Sequence, residues 1–403
     1  MVTFSKFFEE HIKTKSCADI SLHRGSCLEN CVKILPLILA SNLKYFAPIC
    51  LLPLLTKATK LDKEKLRFAL EYYVESSFLG SMLGYTISCL VCLFKNLRGQ
   101  FGPYTFVFIP TLIAGSLVHF TGAQHATEVF ETCVFQSNIE MFLITRRFVL
   151  SRLIADSKLL QTYLFMLCSA LILQGKYLYN LKGFWPLTPN PKLNEIENQE
   201  HNKCQLHSNE SCQKYLLHGM RKYLIVGLAL DIVKALLSKV DEAKTQNKLW
   251  GKIYNFRIRS TALLTTYIGI YRFAHCFLNR YSPNGNILNH FMAAFLAGGC
   301  YGFYPQSNLF SYALIQTLRT IWSIIKIENY NTNNKYLRLL FRLPYGRIMY
   351  PLALAYIVHL SCFKPDYCSK LTVTFINAVT NNRQTHVHKE FKALKQIFKN
   401  DVM

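Results

Sequence analysis

The chain has 403 residues, 51% hydrophobic, 14% aromatic and only 17% charged, against about 25% charged in soluble domains. Its formal net charge of +23 would suit nucleic acid or anionic lipid head groups. No finger, RNA-recognition or helix-turn-helix pattern supports the first, so basic loops flanking apolar segments in a lipid bilayer account for the charge. The 14 cysteines are scattered, and several (Cys50, Cys89, Cys92, Cys168, Cys300) lie inside apolar runs, which excludes a secreted disulfide framework.

Residues 1–31 form a polar segment that carries Cys and His, and its opening, MVTFSKFFEEHIKTKSC, lacks the apolar core of a signal peptide. A first membrane half is expected over 32–181. Val32 to Leu55 is apolar but interrupted by Pro36, Pro48 and Pro53, each removing a backbone donor. Ser76 to Phe94 is a 19-residue uncharged span and Tyr104 to Phe120 the next. Ala126 to Ile144 carries Glu128, Glu131 and Glu140, and reads either as a span whose acids face the bundle interior or as an interfacial helix. Leu159 to Gly175 closes the half as a 17-residue uncharged span. Residues 182–214, with Pro186, Pro189 and Pro191, read as a polar linker loop. Within it Asn209-Glu210-Ser211 matches a glycosylation acceptor.

A second membrane half is expected over 215–369. Its spans are Tyr215 to Leu237, Ala262 to Leu278, Ile287 to Tyr304, Leu309 to Ile325 and Ile348 to Phe363. A basic tail, 370–403, follows. Its end, FKALKQIFK, places Phe391, Leu394 and Phe398 on one helical face beside lysines, a pattern equally suited to a helix lying on anionic lipid and to a solvated tail helix.

The sharpest signal is a stripe of small residues. Phe291 to Gln306 lies in a 38-residue run, Tyr281 to Leu318, without Asp, Glu, Lys or Arg. In it Ala294, Gly298 and Gly302 recur every four residues. Such a stripe lets helix backbones approach closely, and helices in lipid associate through that packing. Gly80, Gly84, Ala114, Gly115 and Gly269 are the other helix-packing candidates. The halves also align: Ser26-Cys27 with Ser211-Cys212, Gly84 with Gly269, Ala114-Gly115 with Ala297-Gly298, and Leu159–Gly175 with Arg347–Phe363, at offsets between 183 and 188. A near-constant offset predicts an internal duplication, and the fold expected is all-α and polytopic, with two tandem homologous helical bundles.

Two residue sets carry candidate chemistry. Each half is preceded by a Cys/His cluster: Cys17, His23, Cys27 and Cys31 before the first, Cys204, His207 and Cys212 before the second. Sulfur and imidazole at such spacing suit zinc. Neither cluster has a standard finger spacing, and the second offers three ligands unless His201 joins; unpaired thiols or a disulfide are the alternatives. No other cofactor is expected. Glu140, Asp231, Lys234, Arg272 and Arg319 are charged positions within apolar spans, where a lone charge costs about 2.5–3.5 kcal/mol or more. Asp231 can pair with Lys234 or Arg272, and Glu140 with Arg319. They read as a polar path for an anion or lipid head group, or as structural ion pairs and snorkelling side chains. His119, His275, His290 and His359 also lie in apolar runs. With no His-x4-Asp box, zincin helix, nucleophile elbow, Walker loop or dinucleotide fingerprint, an enzyme is not expected.

The stretch Leu43-Lys44-Tyr45-Phe46-Ala47-Pro48, the FLAG motif at Phe295 to Gly298 with Phe303-Tyr304 after it, and Lys364-Pro365-Asp366-Tyr367, in that order, resemble the transmembrane protein 135 family, also called peroxisomal membrane protein 52. The resemblance spans roughly residues 15 to 375 by eye; the Asn-rich loop from Asn329 to Asn334 departs from it and marks a divergent member. The family is distantly similar to the channel-forming subunits of mitochondrial inner-membrane translocases. The resemblance implies an integral membrane protein of peroxisomes and mitochondria, with roles in lipid homeostasis and organelle dynamics, and partners among organelle-dynamics or membrane-import proteins. A transporter or channel for a lipid-like or anionic solute is the alternative that the duplication and the intramembrane charges suggest.

Overall fold

Long apolar runs without strand punctuation favour helices, and the computed structural model is helical throughout. It describes residues 4–20, 22–23, 25–55, 63–181, 185, 211–242, 258–282, 286–329 and 335–401, and no strand occurs among them. In chain order the helices are α1 (Phe4–His11), α2 (Cys27–Leu55), α3 (Lys63–Arg98), α4 (Phe108–Val118), α5 (Gln124–Thr145), α6 (Val149–Asp156), α7 (Lys158–Tyr179), α8 (Cys212–Glu242), α9 (Arg259–Tyr281), α10 (Asn286–Gly298), α11 (Ser307–Glu328), α12 (Lys335–Arg342), α13 (Tyr345–Phe363), α14 (Lys370–Val379) and α15 (Arg383–Asp401). Serine hydroxyls start several of them. Ser26 Oγ accepts from Glu29 N at 3.2 Å ahead of α2, and Ser211 Oγ from Lys214 N at 3.3 Å ahead of α8. Ser157 and Ser369 do the same for α7 and α14. Each such cap stabilises by about 1 kcal/mol. α5 and α7 stop at Arg146 and Asn180, both in the left-handed region (φ 48° and 50°), where a helix cannot continue.

Two compact units form, one from residues 1–147 and 343–403, the other from 148–342. Their boundaries differ from the expected halves: 148–181 fold with the second unit, and 343–369 with the first. In the first unit α2 and α3 form an antiparallel hairpin, α4 leans on α3, and α13 packs on α4 and α5. In the second, α8 and α9 form the hairpin, α10 leans on α9, and α7 packs on α10 and α11. Each unit therefore completes itself with the last long helix of the opposite sequence half.

The small residues decide these packings. Ala114, Ala293, Ala294 and Ala297 are fully buried. A Cβ at Gly298 would lie 2.6 Å from Met166 Cα and 3.2 Å from Ser169 Cβ, both on α7. A Cβ at Gly115 would lie 3.1 Å from Pro351 Cα and 3.2 Å from the Leu354 side chain, both on α13. Each glycine thus meets the backbone or Cβ of a long helix that lies in the other half of the sequence. Gly84 is closer still, its Cβ direction only 1.9 Å from the Val379 carbonyl oxygen of α14. Gly80 faces Asn42 and Phe46 on α2, and Gly269 meets only the flexible Met220 side chain.

Several elements differ from expectation. The stripe is not one α-helix: α10 ends at Gly298 and continues as a 3-10 turn, Gly299–Phe303. With a period of three, Gly302 leaves the Ala294/Gly298 line, and its Cβ would make ordinary contact with Thr162 at 3.5 Å. The span expected over Tyr104 to Phe120 contains only the 11-residue α4, about 16 Å long against a hydrocarbon core of about 30 Å. The N-terminal segment is not merely polar: Phe8, Ile12 and Ile20 are fully buried in the first unit's core. Nor is 370–403 a free tail. Phe391 is buried, stacked on Phe363 at 5.2 Å, and Leu394 packs on the same core, so that face of α15 covers protein rather than lipid or solvent. The Phe398 side chain, the linker over 186–210 and most of the Asn-rich loop lie outside what the structure describes.

Three helices are long and apolar enough to cross a membrane by length and composition: Leu66–Arg98, Lys158–Tyr179 and Tyr345–Phe363. The Gly298 geometry gives a first prediction. Gly298→Leu drives a side chain into the α7 backbone, and overpacking of this kind costs about 1–3 kcal/mol or more; Gly302→Ala is tolerated. Thermal unfolding of the detergent-purified variants checks this, with a lowered midpoint expected for the first and an unchanged one for the second.

Candidate functional site

The N-terminal cysteines and histidine converge on α3. After α1 the chain turns sharply: Ser16 N donates to Asp19 Oδ2 at 2.7 Å, and Asp19 N to Ser16 Oγ at 3.2 Å. The Cys17 carbonyl then accepts from Leu22 N at 2.9 Å and from His23 N at 3.5 Å. This winding folds His23 back beside Cys17. Cys27 follows as the first residue of α2, placed by the Ser26 cap. The hairpin partner α3 supplies Cys92.

The donor atoms of Cys17, His23, Cys27 and Cys92 all lie within 4.8 Å of one another. Cys17 Sγ and Cys27 Sγ are 3.9 Å apart, too far for a disulfide bond of about 2.05 Å, and Cys92 Sγ is 3.3 Å from His23 Nε2. Cys17 and Cys92 are buried, and His23 and Cys27 half-buried. One turn beyond Cys92, Asn96 Oδ1 accepts a 3.8 Å hydrogen bond from Cys27 Sγ. The Cys92 thiol hydrogen-bonds the Cys17 sulfur, and with the positive charge of Lys95 and His23 it outweighs burial, holding the Cys17 thiol down at about 5. Burial and the Cys17 sulfur push Cys27 up. Three sulfurs and one imidazole nitrogen at these separations form a soft, four-donor cage.

The membership of the cage differs from the sequence expectation at one position. Cys31 is replaced by Cys92, and the reason is the antiparallel hairpin. Cys27 meets α3 at Cys92, whereas Cys31, one turn further along α2, meets α3 one turn earlier, where it hydrogen-bonds Cys89. Cys92 lies 65 residues from Cys27 in sequence, so spacing gave no cue to it. In the second cluster, Cys204 and His207 lie outside the described residues, as does His201, and Cys212 is exposed at the start of α8.

Two of the charged residues in the apolar segments, Asp231 and Arg272, are held by backbone groups of the α8–α9 hairpin. Asp231 on α8 is buried and accepts from Ser260 N at 3.1 Å, Thr261 N at 2.9 Å and Thr261 Oγ1 at 2.9 Å. These are first-turn donors of α9, so the carboxylate caps that helix and meets the positive end of its dipole. Arg272 on α9 donates through Nη1 to the Tyr215 carbonyl, and its guanidinium lies 4.0 Å over the Tyr215 ring. Asp231 and Arg272 thereby pin opposite ends of the α8–α9 hairpin, and among the described residues no ion pair joins them. The Lys234 side chain lies outside the described residues. Sequence reading missed two glycines that make these clamps fit. A Cβ at Gly219 would fall 2.5 Å from the Arg272 guanidinium, and one at Gly227 2.4 Å from Thr261 Cα; their spacing of eight, two helical turns, was the available signal.

Glu140 is buried in the first unit, where Oε1 accepts from Gln136 Nε2 at 2.8 Å and Oε2 has no hydrogen-bond partner among the described residues. Arg319 belongs to the second unit. Of the apolar-run histidines, His119 Nδ1 is 4.0 Å from Glu131 Oε1 with its ring edge-on to Tyr350, and His359 packs among Tyr104, Phe108 and Phe363. His275 and His290 are neighbours, with ring centroids 5.5 Å apart beside Tyr271, and His290 Nδ1 lies 3.0 Å from Gln174 Oε1.

No protein-family model, no curated protein and no solved structure matches the chain.

The Asp231 cap gives a second prediction. Asp231→Ala leaves two first-turn amides of α9 without their acceptor and costs about 1–2 kcal/mol, whereas Asp231→Asn keeps one acceptor and costs less. Hydrogen exchange at the start of α9 checks the ranking, the alanine variant exchanging fastest.

Proposed function

We propose that the chain is a non-enzymatic, polytopic integral membrane protein built by internal duplication, acting in lipid homeostasis and organelle dynamics at peroxisomal or mitochondrial membranes. The observation that carries the membrane reading is the apolar surface left outside the core. Leu28, Val32, Leu35 and Leu39 form an exposed stripe on α2, Phe273, Phe277 and Tyr281 another on α9, and Ile348, Leu352 and Tyr356 a third on α13. Half or less of the apolar window in each of the three membrane-length helices is buried within the protein. Apolar faces of this extent are costly in water and suit lipid.

The duplication reading is supported by order and by packing together. The α2–α3 hairpin, the small-residue helix α4, then α5, α6 and α7 are followed by the α8–α9 hairpin, the small-residue helix α10, then α11, α12 and α13. In both units a glycine of the small-residue helix, Gly115 or Gly298, also packs closely on the long helix that closes the unit, α13 or α7. The organelle and lipid roles rest on the resemblance to the transmembrane protein 135 family, of which this chain would be a divergent member. Partners among organelle-dynamics or import proteins rest there too.

The alternative, a transporter or channel for a lipid-like or anionic solute, draws on buried polar groups. Asp231 and Arg272 hold helix ends, which takes them out of such a path. The His275–His290 pair is what favours it: both His275 nitrogens and His290 Nε2 are buried with no hydrogen-bond partner among the described residues. We place this reading second, because one polar pair does not define a path.

Two outcomes are expected. The tagged protein at native expression stays in the carbonate-resistant pellet with peroxisomal or mitochondrial markers; release into the supernatant contradicts the membrane reading, and residence in another membrane removes the organelle assignment. Residues 1–181 and 182–403 expressed separately do not fold, because each lacks the helix that closes a unit. Co-expressed, they recover as a complex on size exclusion.

A further inference from the structure

We propose that Cys17, His23, Cys27 and Cys92 form a closed zinc site that fastens the N-terminal segment to the α2–α3 hairpin. The proposal is independent of the organelle reading above. Tetrahedral zinc bonds sulfur at about 2.3 Å and imidazole nitrogen at about 2.0–2.1 Å, which spaces its donors by roughly 3.5–3.8 Å. The Cys17–Cys27 separation of 3.9 Å and the Cys92–His23 separation of 3.3 Å bracket that spacing, and no donor pair exceeds 4.8 Å.

The backbone arranges the donors without the metal's help. The Ser16–Asp19 turn, the hydrogen bonds from Leu22 N and His23 N to the Cys17 carbonyl, and the Ser26 cap each place one ligand. The donor chemistry selects the ion. Thiolates and imidazole suit zinc, while magnesium and calcium require carboxylate or carbonyl oxygens that this set does not contain. Four protein ligands leave no open position, so the role is structural rather than catalytic. Three thiolates around a divalent ion carry one net negative charge, and Lys95, beside Cys17 on α3, offsets it. Without a cross-link, residues 4–26 are held by the core contacts of Phe8, Ile12 and Ile20; with it, the two ends of that segment's last turn are tied to α3.

Metal analysis of the full-length chain, purified in detergent without chelators, tests this. About one zinc per chain is expected. Cys17→Ser and Cys92→Ser should each lower the zinc content at least about tenfold, a loss of roughly 1.4 kcal/mol or more in affinity. Cys31→Ser and Cys89→Ser, outside the cage, should retain it. Cobalt(II) exchanged into the unaltered protein should give the intense visible bands of tetrahedral thiolate coordination, and chelation should speed proteolysis within residues 4–26. The cobalt spectrum and Cys31→Ser decide the matter even if Cys92→Ser does not fold. The proposal is overturned if the unaltered protein holds neither zinc nor tetrahedral cobalt, if Cys31→Ser strips the metal as Cys92→Ser does, or if iron with acid-labile sulfide is found instead.

Discussion

The structure depends on two close approaches between helix backbones. At Gly115 and Gly298 a helix comes so near its neighbour that a Cβ would lie only 3.1 Å and 2.6 Å from backbone atoms of α13 and α7, tight at the first and a clash at the second. Dispersion falls steeply with a gap of even half an ångström, so the absence of a side chain at these positions converts into many contacts among the residues around them. In lipid, where apolar burial gives no advantage over the acyl chains, this packing and the interhelical hydrogen bonds are what hold helices together. Ser169 contributes such a bond directly: its hydroxyl reaches the Ala294 carbonyl at 2.8 Å and Tyr267 Oη at 2.7 Å. Trp185 Nε1 completes that group by donating to Tyr267 Oη at 2.8 Å. The smooth stripe and the polar knot lie on the same α7–α10 seam, one allowing the approach and the other fixing its register.

Charge in the apolar segments follows the same economy. A carboxylate or guanidinium at membrane depth is tolerated where backbone groups satisfy it, and helix ends offer several such groups together. Asp231 takes the amide end of α9, whose first-turn donors it caps, and Arg272 donates to the Tyr215 carbonyl in the first turn of α8 and lies over the Tyr215 ring. Gly219 and Gly227 open the space for both. The α8–α9 hairpin is therefore fastened by polar groups at its ends and by apolar side chains between.

How much of this was legible in the sequence follows from the range of each signal. Helix type and order were readable because apolar periodicity is local, and the small-residue stripe because its spacing of four is local too. The pairing of the stripe with α7 rather than with a helix of its own half was not, since no local pattern encodes which of two similar surfaces a helix will choose. The 3-10 turn after Gly298 was hidden for a related reason: Gly299 and Gly302 relax the backbone without altering hydropathy. The N-terminal segment misled through composition. Its many polar residues masked Phe8 and Ile12, spaced by one helical turn and both inside the core. In the cage, Cys17, His23 and Cys27 could be named because they are neighbours in sequence, whereas Cys92 became a candidate only when α2 and α3 were laid side by side. Cys31 was preferred to it by proximity in the chain alone.

The exchange of closing helices has a consequence for synthesis. The second unit is continuous in sequence. The first unit is not. Its Ala114-Gly115 face is made early, but α13, which covers it, begins at Tyr345, about 200 residues after α5 ends. At ordinary elongation rates of about 5–20 residues per second, that face waits some 10–40 s while the whole second unit is made. Protection of that face while the second unit is made is therefore as much a condition of reaching this structure as any contact in the finished fold.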